Sequence, residues 1–213
     1  MMDFEPFGKI PRLKRELVIT EKLDGSNAQV CITPFNAEDV DDPHVIATWM
    51  ENGSPALAMR AGSRTRWIAP AGTVYNGTAQ KGCDNFGFAR WAQDNGSDLF
   101  TLGEGRHYGE WYGSGIQRGY GLDEKRFALF NTARWGAHNP DTPVCCEVTQ
   151  IVKDVDGPFA SADEALEYLF EHGSFSVPGY HNPEGIVVYH TASRGLFKMT
   201  FGMDGKWKGK QAG

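Results

Sequence analysis

Cysteine is scarce in this chain and poorly arranged for metal. Its four cysteines stand at 31, 83, 145 and 146 with no Cys-x-x-Cys spacing, which argues against a zinc site and for reduced thiols. Long apolar runs are missing too. No stretch approaches the ~20 residues that cross a bilayer, and Met1-Met2-Asp3-Phe4-Glu5 lacks the order of a signal peptide, so a cytoplasmic protein with no membrane partner is expected. No Gly-x-x-x-x-Gly-Lys-Ser/Thr loop occurs, which excludes phosphate binding of the P-loop kind. A positive balance is also lacking, since the formal charge is −6, and this excludes coating nucleic acid by bulk electrostatics. Without repeats, low-complexity segments or an interdomain linker, the 213 residues predict a single domain over 1–213.

What is present is patterned locally. Acidic residues gather in Glu38-Asp39-Asp41-Asp42 and Asp154-Asp156, and basic ones in Arg12-Lys14-Arg15, Arg60-Arg64-Arg66 and Lys206-Lys208-Lys210. A basic groove on an acidic protein is compatible with these clusters, as are solvated faces. Residues 16–23 and 27–33 read as a hairpin, and 126–135, 144–153, 184–190 and 195–201 read as strands from their β-branched and aromatic content. Ser161-Ala162-Asp163-Glu164 is a capping box opening a helix with Leu166, Leu169 and Phe170 on one face and Gly173 as its stop. Asp84 is expected to cap a second helix, with Phe88, Trp91 and Ala92 turned to the core, that ends near Asn95-Gly96. The sum is an α+β chain built on antiparallel sheets.

Chemistry concentrates in five places. Lys22-Leu23-Asp24-Gly25-Ser26-Asn27 follows the apolar run Leu17-Val18-Ile19, so a lysine ends a strand two residues before Asp-Gly. Read without context, Asp24-Gly25 is a good hairpin turn, because both residues tolerate positive φ. Ser63-Arg64-Thr65-Arg66 offers two guanidiniums that can fork phosphate oxygens. Glu110, in Gly109-Glu110-Trp111-Tyr112-Gly113 ahead of Gly115-Ile116-Gln117, suits a carboxylate that accepts from ribose hydroxyls where backbone comes close. Phe130, within Phe127-Ala128-Leu129-Phe130-Asn131, offers a face for a base inside a strand. Glu184-Gly185 opens an apolar strand, and Lys198 lies in the next.

The order of these elements resembles the covalent nucleotidyltransferase superfamily of ATP-dependent DNA ligases, RNA ligases and mRNA capping enzymes. Gly109-Glu110 followed by Gly115-Ile116-Gln117 resembles its nick-sealing RNA ligase branch. The resemblance runs from about residue 20 to 200. It implies a nucleotidyltransferase (ATP-grasp-like, ligase adenylation domain) fold, ATP and Mg²⁺ or Mn²⁺ as cofactors, and joining of 3′-hydroxyl and 5′-phosphate ends through a lysyl-AMP and a nucleic-acid adenylate. Carried over by motif, Lys22 is the nucleophile and Glu21, Asp24 and Gly25 share the nucleotide site. Glu110 holds the ribose, Phe130 stacks on adenine, Glu184 supports the metal and Lys198 touches the α-phosphate. Arg64, Arg66, Lys206 and Lys208 contact phosphate or nucleic acid, the partner being a nicked duplex or RNA ends.

Three departures qualify the match. Asn131 stands where an acidic residue is common after the third-element aromatic. Lys198-Met199-Thr200 replaces the usual Lys-x-Lys, leaving Lys206 or Lys208 to supply the second charge. The chain stops soon afterwards, which predicts no appended C-terminal domain and leaves a partner protein to supply any clamp. Two other readings stand beside this one, a GTP-using capping-type guanylyltransferase and a degenerate nucleic-acid-binding module without turnover.

Overall fold

Only Leu23–Gly25 separates β1 (Leu17–Lys22) from β2 (Ser26–Pro34), yet the two strands do not form the predicted hairpin. The computed structural model describes residues 3–10, 12, 16–75, 78–79, 84–153, 159 and 161–202. Lys14, Arg15, Cys83, Asp154, Asp156, Lys206, Lys208 and Lys210 therefore lie outside the described residues. The chain divides into two compact units, Met1–Lys22 with Ile151–Gly213 and Leu23–Gln150, and the division falls between Lys22 and Leu23. Gly25 explains why no turn forms there. Its φ is not positive; instead a Cβ would fall on the Trp111 carbonyl oxygen and 2.9 Å from Tyr112 Cβ, so glycine is needed for close approach of β2 to its neighbour.

The unit Leu23–Gln150 is built on a large sheet. It contains β3 (Val45–Glu51), β4 (Ser54–Ser63), β5 (Trp67–Ile68), β8 (Gly105–Gly113), β9 (Lys125–Leu129) and β10 (Cys146–Val148), in the order β10-β9-β8-β2-β4-β3 with β5 on β4. A separate pair, β6 (Val74–Tyr75) and β7 (Thr78–Ala79), stands apart. Alternation along the strands sends Ala28, Val30, Ile32, Met59, Ala61, Trp111, Phe127 and Leu129 to one face. There they meet Phe88, Ala89 and Ala92 of α1 (Phe88–Asp94) and Leu99 of α2 (Gly96–Leu99) in one core. The rings of Phe88, Trp91, Trp111 and Phe127 interlock at centroid separations of 4.9–5.7 Å, within the range where edge and offset contacts add to burial.

Several expectations are corrected in this unit. The strand predicted over 126–135 stops at Leu129, because Arg134 and Trp135 N–H both donate to the Asn131 carbonyl and turn the chain. The one predicted over 144–153 shrinks to Cys146–Val148 and pairs parallel to β9, against an otherwise antiparallel sheet. Asp84 does not sit at the helix start, where Gly87 takes the N-cap at φ 91°. Its carboxylate still accepts from Arg90 N–H at 3.0 Å, so it satisfies a first-turn donor from further upstream. Arg60, of the basic cluster Arg60-Arg64-Arg66, is clasped by Asp39 and, at 2.9 Å, by Asp42. Part of the acidic cluster thus neutralises part of a basic one.

His107 lies buried in the same unit with Nε2 3.0 Å from the Gly103 carbonyl oxygen. Burial, aided by the nearby Arg134 charge and opposed by that hydrogen bond, holds its pKa below the ordinary imidazole range. The unfolded chain takes up this proton near pH 6.5 and the folded chain only at lower pH, so stability is lost as pH falls below about 6.5. Urea midpoints at about pH 7.5 and about pH 5.5 should differ less in His107→Gln than in the parent; an equal difference would remove His107 from the account.

The unit that holds both chain ends has a three-stranded antiparallel sheet, β1-β11-β12, with β11 (Gly185–His190) and β12 (Gly195–Thr200). Ile19, Ile186 and Val188 pack against Ala165, Leu166 and Leu169 of α3 (Ala162–His172). That helix begins as predicted, with Ser161 Oγ accepting from Glu164 N–H at 3.2 Å, and ends at Gly173 with φ 82°. Phe170, expected on the buried face, is 56% exposed and meets Phe201 at 5.5 Å. It lies one residue past Leu169 and rotates out to the flank of the stripe. Among the described residues no helix is long and apolar enough to cross a membrane.

Candidate functional site

The lysine and carboxylate motifs that are 162 positions apart in sequence meet in one unit. Lys22 Nζ donates to Glu184 Oε2 at 2.6 Å, and the two side chains are 22% and 18% exposed. Register explains the meeting. Lys22 pairs with Gly185 and Gly185 with Thr200, while Thr20 pairs with Val187 and Val187 with Lys198. Lys22, Lys198 and Thr200 therefore share the sheet face opposite the one packed on α3. Gly185 has φ 147°, and a Cβ there would fall on the Met199 carbonyl oxygen and 2.7 Å from Thr200 Cα. The glycine after Glu184 thus lets β11 and β12 close beneath the carboxylate.

Glu21 is placed differently from its neighbour. As the adjacent residue of β1 it points to the other face, where it is 1% exposed. Its Oε2 accepts from Phe175 N–H at 2.9 Å and Ser176 N–H at 2.8 Å. In this arrangement Glu21 anchors the segment after α3 to β1.

The other expected residues fall in the unit Leu23–Gln150. Glu110 lies on β8, opposite Asn27 of β2 and Ala128 of β9. Phe130 sits one residue beyond β9 rather than inside it, 41% exposed, with its N–H donating to the Tyr108 carbonyl at 2.9 Å. Glu110 and Phe130 share the face opposite the core. Arg64 and Arg66 are exposed in the turn between β4 and β5, which Ser63 N–H closes on the Arg66 carbonyl at 2.9 Å.

Asp24 is held by residues that sequence reading did not single out. Arg118 Nε donates to Asp24 Oδ2 at 2.8 Å, and Asp24 N–H donates to Tyr120 Oη at 2.8 Å. Both partners come from the loop after β8, where Gly113, Gly115, Gln117, Gly119, Tyr120 and Gly121 all have left-handed φ. Such a run winds the loop tightly, and the clustered glycines are the signal that could have marked it. Tyr120 is buried edge-on against Tyr112, centroids 5.4 Å apart. The Tyr112 hydroxyl donates to Glu147, which also accepts from Arg126 at 3.0 Å. Burial first, and then that carboxylate, push the Tyr112 hydroxyl far above the ordinary phenol range, so it remains a donor and locks the support behind Asp24.

Among the described residues no group of three or more His, Cys, Asp or Glu side chains gathers as a metal cage. Glu184 instead offers one carboxylate beside a lysine. That donor set fits a hard cation whose other ligands are substrate phosphates and water, the usual habit of Mg²⁺.

A family model described as RNA ligase matches residues 15–202. Comparison with curated proteins gives no match. Three solved structures of Naegleria gruberi RNA ligase align with 85% of this chain and 48% of theirs, at a TM-score of 0.42. They are an apo lysine-to-alanine mutant and a lysine-to-alanine mutant with ATP and Mn, each 17% identical, and an apo aspartate-to-alanine mutant, 16% identical. The chain spans about half the length of these ligases.

Proposed function

The chain belongs to the RNA ligase family, and from that premise we propose that it joins RNA 3′-hydroxyl and 5′-phosphate ends through a lysyl-AMP on Lys22, using ATP with Mg²⁺ or Mn²⁺, on a nucleotidyltransferase fold. The observation that carries the reading is the 2.6 Å contact of Lys22 Nζ with Glu184 Oε2, with Lys198 on the same face. Lys22 Nζ attacks the α-phosphorus, a P–N bond forms, the bond to the β-phosphate oxygen breaks and pyrophosphate leaves. The amine must first shed a proton, and Glu184 Oε2 lies within reach of it. Lys198 offsets negative charge on the α-phosphate. When a divalent cation is bound, Glu184 would be the residue to hold it, and the cation would neutralise phosphate charge and disfavour the ammonium form of Lys22. Glu110 accepts from the ribose hydroxyls and Phe130 stacks on the base. The AMP then passes to a 5′-phosphate, and a 3′-hydroxyl displaces it to seal the strand.

Arg64 and Arg66 contact phosphate at the strand ends, and Lys206 or Lys208 supplies the charge absent at Thr200. Glu21 acts on the nucleotide indirectly, by fixing the strand that carries Lys22. Incubation with α-phosphate-labelled ATP or GTP, followed by a nicked RNA duplex, tests the proposal. Protein labelling by ATP alone and sealing of the nick are expected. Labelling by GTP would move the reading to capping chemistry, and RNA binding without label would move it to a module that lost turnover.

Arg118 and Tyr120 are positioning residues in this scheme, because they fix Asp24 two residues from the nucleophile. Arg118→Gln should slow label transfer by roughly ten- to a hundredfold, the scale on which a misplaced group costs rate, chiefly in kcat. Arg118→Lys should recover part of it. An unchanged rate in Arg118→Gln would assign the ion pair to stability alone.

A further inference from the structure

One cross-strand row on the coreless face of the large sheet is more elaborate than packing requires. Phe130 N–H bonds the Tyr108 carbonyl, Tyr108 pairs with Gln29, Gln29 with Gly62, and Gly62 with Trp67. The row therefore runs from the residue after β9 across β8, β2, β4 and β5, about 19 Å at the usual strand spacing. Tyr108 is 47% exposed beside the exposed Phe130. At the far end the Arg106 guanidinium lies 5.1 Å over the Trp67 ring. Arg106 Nη1 donates to Gln29 Oε1 at 3.2 Å, and Gln29 Nε2 donates to the Ser63 carbonyl at 3.1 Å. Gly62 makes this possible, since a Cβ there would sit 2.8 Å from Gln29 Cγ.

We propose that this row is a platform for a single-stranded RNA segment, with a base stacked on Tyr108 and a phosphate held by Arg106. The proposal rests on the ligase reading above. Exposed aromatic rings in line with a preoriented cation match a polynucleotide, whose bases present π-faces and whose backbone presents phosphates at regular spacing. A guanidinium carries five donors, and Gln29 takes one, which leaves a fork for phosphate oxygens. Arg64 and Arg66 stand in the turn that leads into Trp67 and extend the positive end of the row. On a chain of net charge −6, recruitment of RNA depends on such local arrangements rather than on the overall field. About 19 Å accommodates several stacked nucleotides.

The test is fluorescence anisotropy with a labelled single-stranded RNA, over a series of salt concentrations, on the parent protein, Tyr108→Ala, Tyr108→Phe and Arg106→Gln. ATP labelling is measured on the same preparations. Tyr108→Ala should weaken RNA binding roughly tenfold and Tyr108→Phe should bind as the parent does, because stacking needs the ring and not the hydroxyl. Arg106→Gln should lower the log–log salt slope by about 0.7, one phosphate contact on a single strand. Parental affinity and slope in Tyr108→Ala and Arg106→Gln, or no RNA binding by the parent protein, would overturn the platform. So would a raised KM for ATP with unchanged RNA affinity, which would assign the row to the nucleotide pocket. Loss of the ligase reading shows separately, as failure of the parent protein to take label from ATP.

Discussion

Lys22→Ala should take label from ATP at least about 10³-fold more slowly than the parent protein, to the limit of detection, because no other residue replaces a positioned nucleophile. The structure supplies a control that separates chemistry from folding. Lys22 and Glu184 form a partly buried pair, so removing the ammonium alone strands a carboxylate and costs about 1 kcal/mol of stability. Lys22→Arg keeps a positive charge near Glu184 Oε2 but presents a group that does not deprotonate in proteins. The arginine variant should therefore melt close to the parent and still take no label. Label appearing in either variant would place the nucleophile elsewhere. Acid lability of the bond in the parent, expected for a phosphoramidate, would complete the assignment.

Gly185→Ala is expected to be the most damaging single methyl group in the unit that holds both chain ends. Its φ of 147° is a conformation that L side chains rarely adopt, and the new Cβ would meet backbone of β12 rather than a side chain that can swing away. Strain and overpacking together should cost about 3 kcal/mol, which lowers the melting temperature by roughly 10 °C in a chain of this size. Label transfer should fall with it at temperatures where the protein is still folded, because β11 begins at this residue and Glu184 immediately precedes it. A melting temperature within about 2 °C of the parent would show that β11 and β12 can separate at this point without loss.

The local settings of the candidate residues were legible in the sequence for a physical reason. Lys22, Glu110, Phe130, Glu184 and Lys198 lie in or beside strands, and a strand converts spacing into a face almost without freedom, so each motif predicts its own local setting. What pairs with what is decided by register between distant strands, which spacing does not encode. The Asp24-Gly25 turn was misread for that reason: a hairpin and a crossing between two sheets use the same residues, and only the carbonyl of Trp111 explains the glycine. β4 and β8 were passed over because their apolar alternation is broken by glycine and arginine. Arg118 and Tyr120 gave no signal as single residues. Their role comes from a loop whose left-handed backbone is visible in sequence only as a crowd of glycines.

The pairing of β1 with β11 also bears on the order in which this sheet can form. The strand that ends in Lys22 is synthesised long before its sheet partners, which span Gly185 to Thr200. Non-local pairing of this kind forms late, since a long intervening chain must be closed before the contact stabilises anything. A nascent chain halted before Glu184 carries Lys22 without its carboxylate partner, its face or its neighbouring lysine. On the function proposed above, reactivity toward ATP is expected only once synthesis has passed the second half of the sheet.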